Sequence, residues 1–167
     1  MLICENADQL LHDLRRNAAT AQDPNCARLL HQAHDALNDI WYKALPGPIG
    51  PNCVWDESRM SVNNTIALFD TMAQQLDTGK FDFQIFQTPE NRHNLLLAIK
   101  TLEVCMLNLK AYDEDEYYHL DRQALDQLEF MLHTALGLIQ TLYDLLKEAP
   151  KPAFELPKPT PELIASN

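Results

Sequence analysis

Glycine is scarce in this sequence, and its scarcity restricts the fold class. Only 4 of the 167 residues are Gly, whereas folds built from strands need glycine at many of their turns. Leucine and alanine are frequent, and long runs of β-branched residues are absent. Both features favour helices over strands. We therefore expect an all-α fold.

Long apolar runs and paired cysteines are missing as well. No run of about 18 apolar residues occurs, so we expect no membrane-spanning helix. The first ten residues, MLICENADQL, lack the basic and apolar regions of a secretory signal. Cys4, Cys26, Cys53 and Cys105 are widely separated, without a C-x-x-C pair, which favours reduced thiols. Together these absences predict a cytoplasmic protein.

Basic residues are outnumbered by acidic ones. The sequence has 13 Lys and Arg against 24 Asp and Glu, which gives a formal net charge of −11. A field of this sign repels nucleic acid and attracts basic partners. We therefore expect no direct binding of nucleic acid and predict a protein partner, with a basic one favoured by the charge. The same charge also fits an acidic surface that only maintains solubility.

Known catalytic and metal-binding patterns are absent too. There is no G-x-S-x-G turn, no glycine-rich phosphate loop and no H-E-x-x-H pair. Glu-x-x-His, a pattern of di-iron bundles, occurs at Glu90–His93 and Glu116–His119. Both pairs begin consecutive helices, which places them at opposite ends of a bundle, roughly 30 Å apart. We expect no metal site and no cofactor, and the lack of a catalytic set argues against an enzyme without excluding one.

What the sequence does contain is apolar residues at helical spacing. They define five segments, at about residues 7–21, 24–44, 89–109 and 125–146, with the third beginning near Asp56 or Ser58 and running to Leu76. The fifth has the longest stripe: Leu125, Leu128, Leu132, Ala135, Ile139, Leu142 and Leu146. Further apolar neighbours make this stripe too wide for a two-stranded seam, so the helix should be central. We predict an antiparallel up-and-down bundle of four to five helices, forming one domain over residues 1–148.

Local signals mark several helix ends. Asp23 and Thr88 each precede a proline, the order of an N-cap and a first helical residue. Gly79 follows the third segment, where a left-handed C-cap is expected. The apolar line of the second segment comprises Leu30, Ala33, Leu37, Ile40 and Ala44. That of the fourth comprises Leu95, Ile99, Leu102, Met106 and Leu109.

Three connections are more than simple turns. LPGPIGPNCVWDE, residues 45–57, has three prolines and two glycines and cannot be helical throughout. Its Ile49, Val54 and Trp55 suggest that it lies on the bundle. KFDFQIFQT, residues 80–88, either covers a core edge or presents an aromatic patch to a partner. Residues 149–167 are interrupted by prolines and should form an extended or disordered proline-rich tail.

An acidic run, AYDEDEYYHLD, occupies residues 111–121. It does not fit a calcium loop, because Tyr118 stands where glycine is needed and Ala124 where a glutamate is needed. Asp113 with Glu116 resembles a capping box at the start of the fifth helix. Alternatively, Asp121 is the N-cap and the preceding residues form a turn. In both cases the acids are a candidate docking face.

The leading hypothesis is a non-enzymatic protein that binds another protein as an inhibitor, immunity-type partner, adaptor or regulator. The candidate contacts are Asp113, Glu114, Asp115, Glu116, Phe81, Phe83 and Phe86. One alternative is an acidic mimic of nucleic acid, with Asp121, Asp126 and Glu129 extending the acidic run. Another is a small-ligand-binding or enzymatic bundle, with a pocket formed by Trp41, Tyr42, Trp55, His34 and Cys53. A homodimer is also possible.

Overall fold

The computed structural model describes residues 24–113 and 121–147 of the chain. The first predicted segment and the predicted tail lie outside the described residues. The described part contains four α-helices and no strand: α1 Pro24–Asp39, α2 Asp56–Asp77, α3 Pro89–Asp113 and α4 Arg122–Lys147. The predicted all-α class is confirmed. None of these helices is long and apolar enough to cross a membrane.

Helix α1 continues into a π turn, Ile40–Ala44. The amide of Leu45 donates to the carbonyl oxygen of Ile40 at 3.0 Å, a bond that spans five residues instead of four. This wider turn shifts the helical register by one position. Leu45 is therefore buried and Ala44 is exposed. The prediction that Ala44 continues the apolar line is wrong for this reason.

Helix α2 begins at Asp56 and ends before Gly79. Gly79 has a φ of 70°, the left-handed conformation that glycine adopts without steric cost. The amides of Gly79 and Lys80 donate to carbonyl oxygens of Leu76 and Gln75 in the last turn. The predicted C-cap is confirmed.

Helix α3 begins as the Thr88-Pro89 signal indicates. The hydroxyl of Thr88 accepts a hydrogen bond from the amide of Asn91 at 3.1 Å. This bond satisfies one of the amides that the first helical turn leaves without a partner. Pro89 is the first helical residue.

Helix α4 begins at Arg122, and the amide of Leu125 donates to the carbonyl oxygen of Asp121 at 2.9 Å. Of the two predicted starts, Asp121 is therefore the observed one. Asp113 is the last residue of α3. The capping box that would begin a helix at Asp113 is thus wrong, because the preceding helix still occupies this position.

Consecutive helices pack against each other, and α4 also contacts the π turn. One hydrophobic core contains residues from all four helices. All seven residues of the predicted α4 stripe are buried. Burial of large apolar side chains contributes about 1.5–3 kcal/mol each, so this packing is what holds helices that would be marginal alone.

Candidate protein-interaction surface

The aromatic residues of the 80–88 connection cover an edge of the core. Asp82 caps a 3₁₀ turn, Phe83–Phe86, by accepting from the amide of Gln84 at 3.1 Å. Residues three apart eclipse in such a turn, so Phe83 and Phe86 point to the same side. The rings of Phe81 and Phe86 stack with their centroids 5.7 Å apart.

Phe86 is buried, and Phe81 and Phe83 are half-buried against the core. Two roles were predicted for this connection, and in the structure it covers an edge of the core. The ring of Phe86 is already inside the isolated chain, and its contact with a partner stays a prediction, as it does for Phe81 and Phe83. The exposed large side chain of this connection is Ile85.

The acidic run is only partly described. Asp113 ends α3, whereas Glu114, Asp115 and Glu116 lie outside the described residues. Their predicted role as a docking face stays a prediction.

Several other carboxylates have a basic neighbour. Asp77 at the end of α2 lies 2.6 Å from the imidazole of His31 on α1. Lys43 lies 3.2 Å from Asp39, and Arg59 pairs with Asp56. Exposed pairs of this kind contribute at most about 1 kcal/mol each. They nevertheless reduce the number of unpaired carboxylates that an acidic mimic of nucleic acid would need.

In the described part of the chain, His31, His34 and His93 each contact a different carboxylate. His34 lies 2.9 Å from Asp35, and His93 lies 3.7 Å from Glu57. Within residues 24–113 and 121–147, no three or more His, Cys, Asp and Glu side chains form a group that could hold a metal ion.

The 45–57 connection lies partly on the bundle. It forms two 3₁₀ turns, Gly47–Ile49 and Pro51–Cys53, and the side chain of Ile49 is buried. Trp55 is 85% exposed, so the prediction that it packs onto the bundle is wrong. Trp41 is fully buried. The ligand-binding alternative, which requires both rings to line one pocket, stays a prediction.

A surface that sequence reasoning missed lies on the outer side of α3. Leu96, Val104 and Leu107 are 36%, 49% and 66% exposed. At 100° per residue, Leu96 and Leu107 project within about 20° of each other, with Val104 about 60–80° further round the helix. Lys100 lies between them and is also exposed. We call these residues, with the exposed Glu103, the outer α3 face.

This face is distinct from the core side of the same helix. Leu95 and Leu102 are buried and project about 120–140° from Leu107 around the helix, and Ile99 is buried at the boundary between the two sides. The signal was present in the sequence: Leu95-Leu96-Leu97 places apolar residues almost all round the helix. A helix with apolar residues on all sides normally has neighbours on all sides.

No protein family model, no curated protein and no solved structure matches this chain. Its function therefore has to be inferred from its own residues.

Proposed function

We propose that this chain is a non-enzymatic acidic helical protein that binds another protein. One observation carries the proposal: the outer α3 face exposes Leu96, Val104 and Leu107 on a single helix. Val104 and Leu107, three positions apart, are neighbours on the helix surface, and Leu96 lies roughly 12 Å further along the same side, beyond Lys100. Isolated exposed apolar residues are common, whereas a group of them on one side of a helix is a candidate interaction surface.

Covering this face supplies a driving force for association. From the exposed fractions of the three apolar side chains, their burial contributes roughly 3 kcal/mol. Lys100 and Glu103 lie in the same face and provide charges of both signs. Such charges favour one register of the partner over others, while the apolar residues supply the affinity.

The overall charge favours a basic partner. A net charge of −11 on 167 residues attracts cationic surfaces and raises their association rate at low salt. The acidic run from Asp113 to Glu116 is the densest group of carboxylates in the sequence. We propose that it steers the partner, while the outer α3 face holds it.

We further propose that α1 and α2, and likewise α3 and α4, form antiparallel pairs. His31 of α1 contacts Asp77 at the end of α2, and Tyr42, just beyond α1, donates to Asn63. At the start of α3, Gln87 donates to the carbonyl oxygen of Leu145 near the end of α4 at 3.4 Å. These contacts support opposite directions within each of the two pairs. The predicted up-and-down order does not extend to α2 and α3, because Glu57 and Ser61 near the start of α2 contact His93 and Asn94 near the start of α3.

A cytoplasmic location is part of the same proposal. Cys53 and Cys105 are free thiols, as is usual for proteins of reducing compartments.

The test compares binding by matched variants. The chain is used to capture partners from its native host, and the affinity of an identified partner is then measured for Leu96→Ser/Leu107→Ser and for Ile85→Ser. We expect the double variant to bind at least about 10-fold more weakly, because about 1.4 kcal/mol corresponds to that factor. Ile85→Ser, an equally exposed change outside the face, should bind as the wild type does.

Unchanged affinity of the double variant would overturn the proposed surface. Salt dependence separates the roles of the two groups of residues. Reversal of Asp113, Glu114, Asp115 and Glu116 to Lys should slow association at low salt and have little effect at high salt. A different result would support an acidic mimic of nucleic acid: affinity that falls steeply as the salt concentration rises and is the same for the wild type and the double leucine variant. Sedimentation of the purified chain identifies a second copy as the partner.

A further inference from the structure

Two cysteines from distant parts of the sequence meet at one turn of the 45–57 connection. The thiol of Cys53 donates to the carbonyl oxygen of Gly47 at 2.6 Å. The thiol of Cys105, on α3, donates to the carbonyl oxygen of Ile49 at 3.2 Å. Gly47 and Ile49 are the first and last residues of a single 3₁₀ turn, so their oxygens are roughly 5 Å apart. The two sulfurs therefore flank the same short stretch of backbone.

The compactness of this connection depends on Gly50. A Cβ atom at this position would lie 3.1 Å from the carbonyl oxygens of both Leu45 and Pro46. A larger residue would require the backbone of this turn to shift by a few tenths of an ångström. The local backbone and the packing of α3 thus place both thiols against the same turn.

The two thiols differ in their surroundings. Cys53 is exposed, whereas Cys105 is 1% exposed. The pKa of the Cys105 thiol is raised from 9.0 to about 11. Burial is the larger cause, and the charge of Cys53 is the smaller one. Since charge interactions weaken with distance, this effect of Cys53 agrees with the closeness of the two sulfurs. An oxidant from solution reaches Cys53 first.

The structure assigns Cys53 and Cys105 as a thiol pair that forms an intramolecular disulfide when the chain meets a low-molecular-weight disulfide such as oxidised glutathione. The inference is independent of the proposed partner, because it uses neither the outer α3 face nor the acidic run.

The reaction proceeds in two exchanges. The Cys53 thiolate attacks one sulfur of the oxidant, forms a mixed disulfide and releases one small thiolate, which takes up the proton that Cys53 lost. The Cys105 thiolate then attacks the Cys53 sulfur and expels the second small thiolate. The two cysteines lose two electrons and two protons, and the oxidant becomes two molecules of thiol.

The bond requires a sulfur separation of about 2.05 Å. Cys53 lies in an exposed connection and Cys105 in a packed helix, so Cys53 is the side that leaves its carbonyl and turns inward. The product ties the 45–57 connection to α3, between positions that are 52 apart in sequence (105 minus 53). A cross-link over so long a loop restricts the unfolded chain and should raise Tm.

The experiment treats the full, reduced chain with oxidised glutathione under native conditions at pH 8. Free thiols are then alkylated, and the peptides are identified by mass spectrometry. We expect a Cys53–Cys105 cross-link with the loss of two hydrogens and a Tm higher by about 5 °C. A reducing agent should reverse both changes.

Variants and pH sharpen the result. Cys53→Ser changes an exposed residue and should abolish the link, whereas Cys26→Ser should leave it intact. The rate of the second exchange should rise about tenfold per pH unit between pH 8 and 10, because the Cys105 thiolate is scarce below its pKa. A mixed disulfide that persists on Cys53 beside a free Cys105 would overturn the inference, and so would a link from either residue to Cys4.

Discussion

Helices α3 and α4 pack against each other, yet they use their apolar residues differently. In α4 the whole predicted stripe, from Leu125 to Leu146, is buried in the core of the chain. In α3 one line of residues is buried in that core, and a second group, the outer α3 face, is exposed. The stripe of α4 is thus buried within the chain, whereas α3 retains apolar area that no described residue covers, and such area is a candidate for contact with another molecule.

The difference shows that apolar content does not by itself locate the core. Both helices are rich in leucine, and their neighbours decide which residues are inside. The outer α3 face is consequently the part of the described surface where a change should affect binding more than stability. The following predictions test this separation, in order of decreasing effect.

The largest effect is expected for a core residue of α4. Leu142→Ala should lower the free energy of unfolding by about 3–5 kcal/mol, because the side chain is fully buried. Leu107→Ala removes the same atoms from the outer α3 face and should cost less than about 0.5 kcal/mol. Urea denaturation measures both. Equal losses would mean that Leu107 is buried in the isolated chain, and the contrast between the helices would disappear.

The connection that precedes α3 offers a second contrast. Phe86→Ala should destabilise the chain by about 2–4 kcal/mol, since its ring is buried at the core edge. Ile85→Ala, one residue earlier and exposed, should have little effect. Thermal unfolding of the two variants gives the comparison. A small effect at Phe86 would contradict its role as a core cover and would restore it as a candidate contact.

Alkaline pH should destabilise the chain through the buried thiol that α3 contributes to the core. Cys105 has its pKa raised from 9.0 to about 11 in the folded chain, and α4 contains no cysteine. The folded state therefore favours the neutral thiol, so this contribution is complete below pH 9 and is lost as pH rises through about 11. It amounts to about 2–3 kcal/mol. The stability difference between the wild type and Cys105→Ala should shift by this amount over that range in denaturant titrations.

The two helix starts should differ modestly. Thr88→Ala removes the hydroxyl that caps α3 and should cost about 1 kcal/mol. Thr88→Ser keeps a hydroxyl and should be close to neutral. Chemical denaturation of both variants distinguishes the lost hydrogen bond from a general effect of the substitution. Equal stability of the alanine and serine variants would show that the cap contributes nothing.

The smallest effect is expected on the side of α4 away from its stripe. A Cβ atom at Gly137 would meet no atom within 4 Å, so Gly137→Ala should raise the free energy of unfolding by about 0.5–1 kcal/mol through helix propensity. Gly79→Ala should act in the opposite direction, because its φ of 70° strains other residues. A loss of stability at Gly137 would indicate that this side of α4 is also covered.

Most of the helical framework was predictable from the sequence. The stripe of α4 and the caps at Thr88 and Gly79 are local signals, and each is observed. The two caps follow from local geometry, since helix ends need partners for their amides and carbonyl groups. The π turn was not predictable, because the burial of Leu45 instead of Ala44 depends on packing against the rest of the core.

The candidate surfaces were less predictable. The sequence pattern of the 80–88 connection is the same whether Phe81, Phe83 and Phe86 cover a core or face solvent. Only packing against the bundle decides between the two. Trp55 shows the converse, because a large aromatic residue expected to pack is exposed. The outer α3 face was overlooked because the buried line of this helix already accounted for a normal amphipathic pattern.

The sequence by itself determined the all-α class and where most of the described helices begin and end, because periodicity and caps act between residues a few positions apart. Only the tertiary structure decided which side of α3 is buried and which remains open. It also brought Cys53 and Cys105 to the same turn, although 52 positions separate them in sequence (105 minus 53). Contacts between distant residues depend on how the helices pack, and no local pattern encodes that choice.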